Sequence, residues 1–303
     1  MISRRKCIQR LSTLGLMGSL SGWNFADSGI IKRSIPSTGE QLPIVGLGTW
    51  RVFDIGESTP ERSTRKEVLK TLIDNGGQVV DSSPMYGRSE KVVGDLSTEL
   101  SLNQSLFIAT KVWTTGLESG KRQIEESFRL LKRQKLDLLQ IHNLQDWQTH
   151  IKTLQALKSE GRIRYMGITH YMDSMHATLV SIIKNNKLDF IQVNYNIGNR
   201  NAERELFPVA RDMGVAVIIN RPFQEGGLFQ QVRNKKLPGL AVELNCTSWA
   251  QFFLKFILSH PAVTCAIPGT SNPVHMKENM ECAHSKLPDL ADRKEMANVF
   301  DRI

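Results

Sequence analysis

Short apolar runs recur along the chain, and each is followed by a segment in which apolar residues repeat with the period of a helix. The runs are nearly continuous in apolar residues, as in residues 215–219. Such runs are typical of strands that are buried on both faces in a parallel sheet. Residues 121–131 illustrate the helical segments, with Ile124 and Phe128 on one face. The pattern therefore predicts alternating strands and helices.

Eight of these runs are spaced as expected for a (β/α)8 barrel. Their ends lie 25 to 33 residues apart, except for a last interval of 47, and fall near Leu47, Val80, Thr110, Ile141, Ile168, Val193, Ile219 and Ala266. Such a barrel uses about 250 residues, so we predict an α/β fold with a single TIM barrel over residues 31–303. The long last interval predicts an insertion at 222–240 that forms a flexible loop over the barrel mouth. Residues 287–303 are predicted to form a terminal helix.

A doubly wound open sheet is the competing architecture. It would normally carry a glycine-rich phosphate loop directly after its first strand. Here the first apolar run leads into the sequence GLGTW at residues 46–50, which lacks a third glycine at the required spacing and is not followed by an obvious helix. The closed barrel is therefore the favoured prediction.

Residues 1–30 are predicted to form a leader that precedes the barrel. Arg4 and Arg5 lie in a basic start, and the weakly apolar stretch 11–23 follows, which is typical of a signal peptide and too short to span a bilayer. The arginine pair resembles the bacterial twin-arginine signal. We expect a periplasmic protein that uses the twin-arginine export machinery, with no stable membrane insertion after processing. The alternative is a basic tail on a cytoplasmic enzyme.

Charge and cysteine content narrow the set of partners. The net charge of +9 raises the question of nucleic acid, but lysine and arginine are spread along the chain without a basic patch of interleaved aromatics. We therefore predict no nucleic-acid partner.

The four cysteines, Cys7, Cys246, Cys265 and Cys282, form no CxxC pair, so no metal site is predicted. Cys265 lies in an apolar run and is expected to be a small buried residue.

Polar residues follow three successive predicted strands at the points where the strands end. Asp81 follows the second strand, Lys111 the third and His142 the fourth, while Tyr86 lies five residues after Asp81. Each of these residues alone would usually have a structural role. The C-terminal ends of all strands in a (β/α)8 barrel converge on one face, however. A carboxylate, an ammonium, a phenol and an imidazole at one barrel mouth predict a site for proton transfer.

The four residue types suggest complementary roles. The usual pKa of tyrosine, about 10, is too high for efficient proton exchange near neutrality, and Lys111 is expected to lower the pKa of Tyr86. Asp81 would hold Lys111 charged and in place, and His142 would orient a substrate carbonyl. Such a site suits the protonation of an alkoxide as hydride arrives. No nucleophile elbow or metal triad favours a hydrolase.

These motifs resemble the signatures of the aldo-keto reductase superfamily. The resemblance is carried by GLGTW at 46–50, the segment from Asp81 to Gly87, Lys111, and LQIH at 139–142, and it extends over residues 42–279. It implies a (β/α)8 enzyme in which NADP(H), with NAD(H) as an alternative, supplies hydride to a small aldehyde or ketone. It also implies that Tyr86 is the general acid.

The same resemblance assigns further residues to the cofactor and the substrate. The residues that it implies for cofactor binding are Thr49, Thr169, His170, Gln192, Asn220, Arg221, Pro268, Gly269, Thr270, His275 and Asn279. The residues that it implies for the substrate pocket are Trp50, Trp113 and Asn143.

Three positions depart from the family pattern. Asn220 stands where the family often stacks a tyrosine on the nicotinamide, Gly269 replaces a common lysine, and His275 replaces the usual arginine. These departures affect cofactor affinity and selectivity more than reaction type. They leave open a second function, that of a low-turnover regulatory or cofactor-sensing subunit.

Overall fold

The computed structural model describes residues 29–303; the arginine pair of the predicted leader and Cys7 lie outside the described residues. Strands occur in the described range at Lys32–Ser34 (β1), Gln41–Pro43 (β2), Leu47–Gly48 (β3), Val79–Asp81 (β4), Phe107–Val112 (β5), Leu136–His142 (β6), Ile163–His170 (β7), Phe190–Asn194 (β8), Ala216–Asn220 (β9) and Cys265–Ala266 (β10).

Strands β3 to β10 form one parallel sheet in chain order, with each strand paired to the next. The first and last strands also meet, through parallel bridges from Val45 to Ala266 and from Gly48 to Gly269. The sheet is therefore a barrel, which confirms the predicted TIM fold and excludes the open sheet. All eight predicted strand positions coincide with observed strands.

Helices surround the barrel and follow its strands. Within residues 29–303 they are Thr59–Asp74 (α1), Ser89–Glu99 (α2), Leu117–Leu130 (α3), Trp147–Ser159 (α4), His176–Asn185 (α5), Leu206–Asp212 (α6), Gly227–Gln231 (α7), Gly239–Glu243 (α8), Trp249–Leu258 (α9), Pro273–Glu281 (α10) and Leu290–Asp301 (α11). Helix α3 contains most of the predicted amphipathic segment, and α11 lies within the predicted terminal helix.

The predicted insertion between β9 and β10 is structured in part. It contains α7 and the start of α8, where the sequence had predicted a loop. Its first residues, including Phe223 and Gly226, line the cavity at the barrel mouth. The segment therefore lies where the sequence predicted it, but it contains helical turns. Its glycines and charged residues had favoured the prediction of a loop.

The strands alternate between an inner and an outer face, and this alternation positions the site. Aliphatic, aromatic and small residues fill the barrel interior as one buried cluster that includes Ala109, Leu138, Phe190 and Cys265. Their neighbours along each strand, such as Leu139, belong to the larger cluster beneath the helices. On each strand, the inward-facing side chains that come two or four positions after these cluster residues lie at the C-terminal mouth of the barrel.

The opposite end of the barrel is closed by the antiparallel hairpin of β1 and β2. Ile35 and Leu42 of this hairpin join the inner cluster. The Tyr165 hydroxyl beneath them bonds to Glu40 and to Thr38 Oγ1, the latter at 2.8 Å. The interior is thus sealed at its N-terminal end, which leaves the C-terminal mouth as the open face.

Among residues 29–303, no helix is long and apolar enough to cross a membrane. In the same range, no group of three or more histidine, cysteine, aspartate or glutamate side chains is arranged to hold a metal ion. Cys265 is fully buried, as its apolar surroundings in the sequence predicted.

Candidate active site

A buried ion pair lies at the base of the barrel mouth. Lys111 Nζ donates hydrogen bonds to Asp81 Oδ2 and to the carbonyl oxygen of Ser82, both at 2.7 Å. Burial alone would lower the pKa of Lys111, but the charge of Asp81 and the hydrogen bonds of Lys111 to Asp81 and Tyr86 outweigh it and leave that pKa above its usual value. Lys111 is therefore a fixed cation in a site without direct access to water.

Tyr86 lies next to this cation. Lys111 Nζ is 4.9 Å from the centre of the Tyr86 ring, and the Tyr86 and His142 rings meet edge to face with their centres 5.6 Å apart. Burial raises the pKa of Tyr86, and the Lys111 charge opposes that rise without cancelling it. The sequence predicted a lowered pKa for Tyr86; the net direction differs because the loss of hydration outweighs the attraction of Lys111.

The imidazole of His142 is neutral, and its tautomer follows from its neighbours. Burial, followed by the charges of Lys111 and His170, lowers the pKa of His142 to about 2. Ser83 Oγ lies 2.9 Å from His142 Nδ1 and accepts a hydrogen bond from the backbone N–H of Met85. We assign the Ser83 proton to the contact with Nδ1, because Ser83 Oγ already accepts the Met85 N–H, and this assignment places the ring proton on Nε2.

Amide side chains hold the second oxygen of Asp81. Gln192 Nε2 donates to Asp81 Oδ1 at 2.7 Å, and Thr169 Oγ1 donates to Gln192 Oε1 at 3.3 Å. Asn220 lies on the same inner face at the end of β9, and its Oδ1 atom is buried without a hydrogen-bond partner among the described residues. Asn220 Oδ1 is therefore an amide oxygen of the cavity lining that no described residue pairs.

These residues surround a cavity of about 410 Å³ at the C-terminal mouth. The cavity brings together the following predicted site residues: Thr49, Trp50, Asp81, Tyr86, His142, Asn143, Thr169, Gln192, Asn220, Arg221 and Gly269. Lys111 lies beneath the cavity. It contacts two residues of the cavity lining, Asp81 and Tyr86.

Six other predicted residues do not line this cavity. His170 is buried, and its Nδ1 atom accepts the backbone N–H of Met172. Trp113 lies at the rim, largely exposed, with its ring centre 6.4 Å from that of His142. The remaining four follow strand β10 or lie on helix α10: Pro268, Thr270, His275 and Asn279.

The cavity also includes residues that the sequence did not single out. Arg51, Tyr171 and Glu225 contribute polar groups, and Phe223 and Phe229 contribute apolar walls. Arg51 and Tyr171 each directly follow a predicted site residue. Their position just after a strand could therefore have identified them as residues of the barrel mouth. Glu225 and Phe229 belong to the insertion, where no strand register indicated which side chains face inward.

A sequence model of the aldo/keto reductase family matches residues 44–292, which is most of the chain and includes every strand of the barrel. The chain belongs to the aldo/keto reductase family. Its similarity to curated members is nevertheless distant, as two relatives show.

The chain is 28% identical to methylglyoxal reductase YeaE of Escherichia coli strain K12, over 78% of this chain and 84% of the relative. It is 26% identical to the NADH-specific methylglyoxal reductase of the same strain, over 89% of this chain and 99% of the relative. Among solved structures, an aldo-keto reductase from Klebsiella pneumoniae in complex with NADPH superposes with a TM-score of 0.74 at 23% identity, covering 89% of this chain and 96% of that one. This superposition supports the barrel fold.

Proposed function

We propose that this aldo/keto reductase reduces aldehydes or ketones to alcohols with NADP(H). The observation that carries the proposal is the convergence of the Lys111–Asp81 ion pair, the Tyr86 phenol and a neutral His142 on one cavity. An acid with a raised pKa, a fixed cation behind it and an N–H donor beside it form a site for protonating an alkoxide.

Each of these groups has a defined task in the proposed reaction. The reduced cofactor supplies hydride to the carbonyl carbon when it is bound. His142 Nε2–H donates a hydrogen bond to the carbonyl oxygen and orients it. The Tyr86 hydroxyl transfers its proton to that oxygen, and the Lys111 ammonium stabilises the phenolate that remains. The raised pKa of Tyr86 keeps the proton on the phenol until negative charge develops on the substrate.

The donor and acceptor groups of the mouth fit a nicotinamide carboxamide. The buried Asn220 Oδ1 is an acceptor without a donor among residues 29–303, and Thr169 and Gln192 lie nearby on the inner face. These three residues would hold the carboxamide. Helix α10, capped by Asn272, presents its N-terminus and the exposed His275 towards solvent, where a phosphate would be favoured. NAD(H) is the alternative cofactor, as used by one of the relatives according to its name.

Replacement of Tyr86 tests the proton-donor role. We expect Tyr86→Phe to lower turnover of 4-nitrobenzaldehyde by about 100-fold or more, because general acid catalysis contributes 10²–10⁴-fold. NADPH binding, followed by fluorescence, should stay nearly unchanged because the ring remains. The matched control is Tyr165→Phe, which removes a hydroxyl at the opposite end of the barrel. Turnover above about a tenth of wild type in Tyr86→Phe would contradict the assignment.

The same assay separates the reductase from a low-turnover regulatory subunit. The wild-type protein is expected to oxidise NADPH in the presence of the aldehyde over many cycles. A protein that binds NADPH tightly but completes no more than a single cycle would instead support the cofactor-sensing function that the departure at Asn220 left open.

A further inference from the structure

Two arginines face the same carboxylate across the cavity. Arg221 Nη2 lies 2.8 Å from Glu225 Oε1, and Arg51 Nη1 lies 3.7 Å from Glu225 Oε2. All three residues line the cavity. Arg51 belongs to the turn after β3, whereas Arg221 and Glu225 belong to the turn after β9. A single carboxylate therefore bridges two cations that come from turns two strands apart around the mouth, since only β10 lies between β3 and β9.

The Arg221 guanidinium is held in place by an aromatic ring as well. Its Cζ atom lies 3.8 Å from the centre of the Tyr171 ring and 6.0 Å from that of Trp50. An arginine stacked on an aromatic face keeps its N–H groups free at the edge, where they form paired hydrogen bonds to carboxylates. Arg221 and Glu225 both adopt positive φ angles, of 47° and 55°. Strained backbone of this kind persists where the surrounding structure fixes the side chains.

The charges around the cavity do not balance. Asp81 is paired with Lys111, and His142 is neutral. Glu225 carries one negative charge against the two positive charges of Arg51 and Arg221. The mouth of the cavity therefore has one positive charge in excess, which favours an anionic ligand.

We propose that Arg221, assisted by Arg51, binds a carboxylate carried by the substrate, and that this carboxylate replaces Glu225 as the partner of Arg221. The inference rests on the proposed reductase function and names its substrate class: aldehydes and ketones that bear a carboxylate. Glu225, whose Oε1 atom lies 2.8 Å from Arg221 Nη2, is the carboxylate that this anion would replace.

The position of Arg221 favours the substrate over the diphosphate of the dinucleotide as the source of the anion. Arg221 lines the same cavity as the Tyr86 phenol and lies beside Trp50. Burial raises the pKa of Tyr86, and the Arg221 charge opposes that rise, as expected of a cation close to the proton donor. A group bound by Arg221 therefore lies near the atom that receives the proton.

A pair of aldehydes that differ only in charge provides the test. The two substrates are 4-formylbenzoate and its neutral methyl ester, and the quantity compared is the ratio of their kcat/KM values. We expect the wild-type protein to favour the carboxylate. In Arg221→Gln this ratio should fall roughly 10-fold or more, the size expected when a charge-assisted hydrogen bond is lost. Arg221→Lys, which keeps the positive charge but loses the paired N–H groups of the guanidinium, should show an intermediate ratio.

Two further variants sharpen the test. Glu225→Gln removes the competing carboxylate, so the ratio should rise above that of wild type. Arg211→Gln removes one positive charge from an exposed position at the end of helix α6, paired only with Asp212 among the described residues. That control should leave the ratio unchanged, which separates a local effect from an effect of net charge.

The outcomes distinguish the two sources of an anion. Arg221→Gln with weakened NADPH binding and an unchanged substrate ratio would assign Arg221 to the diphosphate and overturn the proposal. Equal losses for both aldehydes would also overturn it. Should the wild-type protein reduce neither aldehyde, the reductase function fails instead, and calorimetry with 4-formylbenzoate then decides the anion site: binding that is lost in Arg221→Gln supports the site, and no binding to wild type rejects it.

Discussion

His142 depends on Ser83 for the position of its proton. Both side chains are buried, and Ser83 Oγ has one hydrogen bond from the Met85 N–H and one contact to His142 Nδ1. Without that hydroxyl, no hydrogen bond at Nδ1 would fix which ring nitrogen carries the proton. Ser83 is thus a positioning residue, which acts on the substrate only through His142.

Removal of the Ser83 hydroxyl should therefore reduce kcat and leave substrate KM nearly unchanged. For Ser83→Ala we expect a loss of about 3- to 10-fold in kcat, the value of one hydrogen bond. Nitrogen NMR of His142 should show a mixture of tautomers in this variant and a single tautomer with the proton on Nε2 in wild type. Ser83→Thr, which keeps the hydroxyl, is the matched control. A single Nε2–H tautomer in Ser83→Ala would contradict this role.

Single residues also show how far the sequence could predict the site. Asp81 and His142 end buried strands and Lys111 is the last residue but one of its strand, so their inward direction followed from the alternation of the strand. Arg51, Arg221 and Glu225 lie in turns with positive φ, where no periodicity sets the direction of a side chain. The direction of the pKa shift of Tyr86 required the extent of burial, which the sequence does not contain.

At the scale of elements, a carboxyl group joins helix α2 to strand β5. Glu90 is buried, and its Oε1 atom accepts a hydrogen bond from Thr110 Oγ1 at 2.5 Å. Thr110 points to the outer face of the barrel, directly beside the inward-facing Lys111. Burial raises the pKa of Glu90 to about 7, although the Thr110 and Ser127 hydroxyls oppose the shift. The folded protein therefore favours the protonated form of Glu90, because burial disfavours the carboxylate charge.

This shift predicts a dependence of stability on pH. Between pH 4.5 and pH 7 the unfolded chain releases the Glu90 proton while the folded protein retains it, so stability falls as pH rises. The loss should be on the order of 3 kcal/mol at most. Glu90→Gln should abolish this loss of stability. In urea titrations, the unfolding free energy of wild type should therefore fall relative to that of the variant between pH 4.5 and pH 7.5.

The control for this measurement is Glu67→Gln, on the exposed side of helix α1. It should leave the wild-type pH dependence in place. A parallel pH profile for wild type and Glu90→Gln would show that the carboxyl of Glu90 titrates alike in the folded and unfolded chain.

Strands were easier to predict than the connections between them. Eight continuous apolar runs marked the strands, because both faces of a barrel strand are buried. The hairpin of β1 and β2 contains only three residues per strand, with exposed polar positions beside Leu42, and the sequence therefore did not mark it. Helices α7 and α8 are five residues each, too short to show a helical period.

At the scale of the whole molecule, export remains a prediction based on the sequence alone. Substitution of Arg4 and Arg5 by lysine should shift the protein from the periplasmic to the cytosolic fraction of a bacterial host, because the export receptor reads the arginine pair. Fractionation followed by immunoblotting measures the shift. Arg10→Lys, the same chemical change outside the pair, should leave export intact. Wild type confined to the cytosolic fraction would favour the basic tail on a cytoplasmic enzyme.

The bridge between Val45 and Ala266 determines when this protein can finish folding during its synthesis. The two residues are 221 positions apart, so the barrel cannot close until the chain through β10 has left the ribosome. Until then, β3 and β9 each present an unpaired strand edge to neighbouring chains. A nascent chain that has been synthesised only as far as β9 is thus an open sheet with two unpaired edge strands. It depends on chaperones or on rapid completion of synthesis to avoid aggregation.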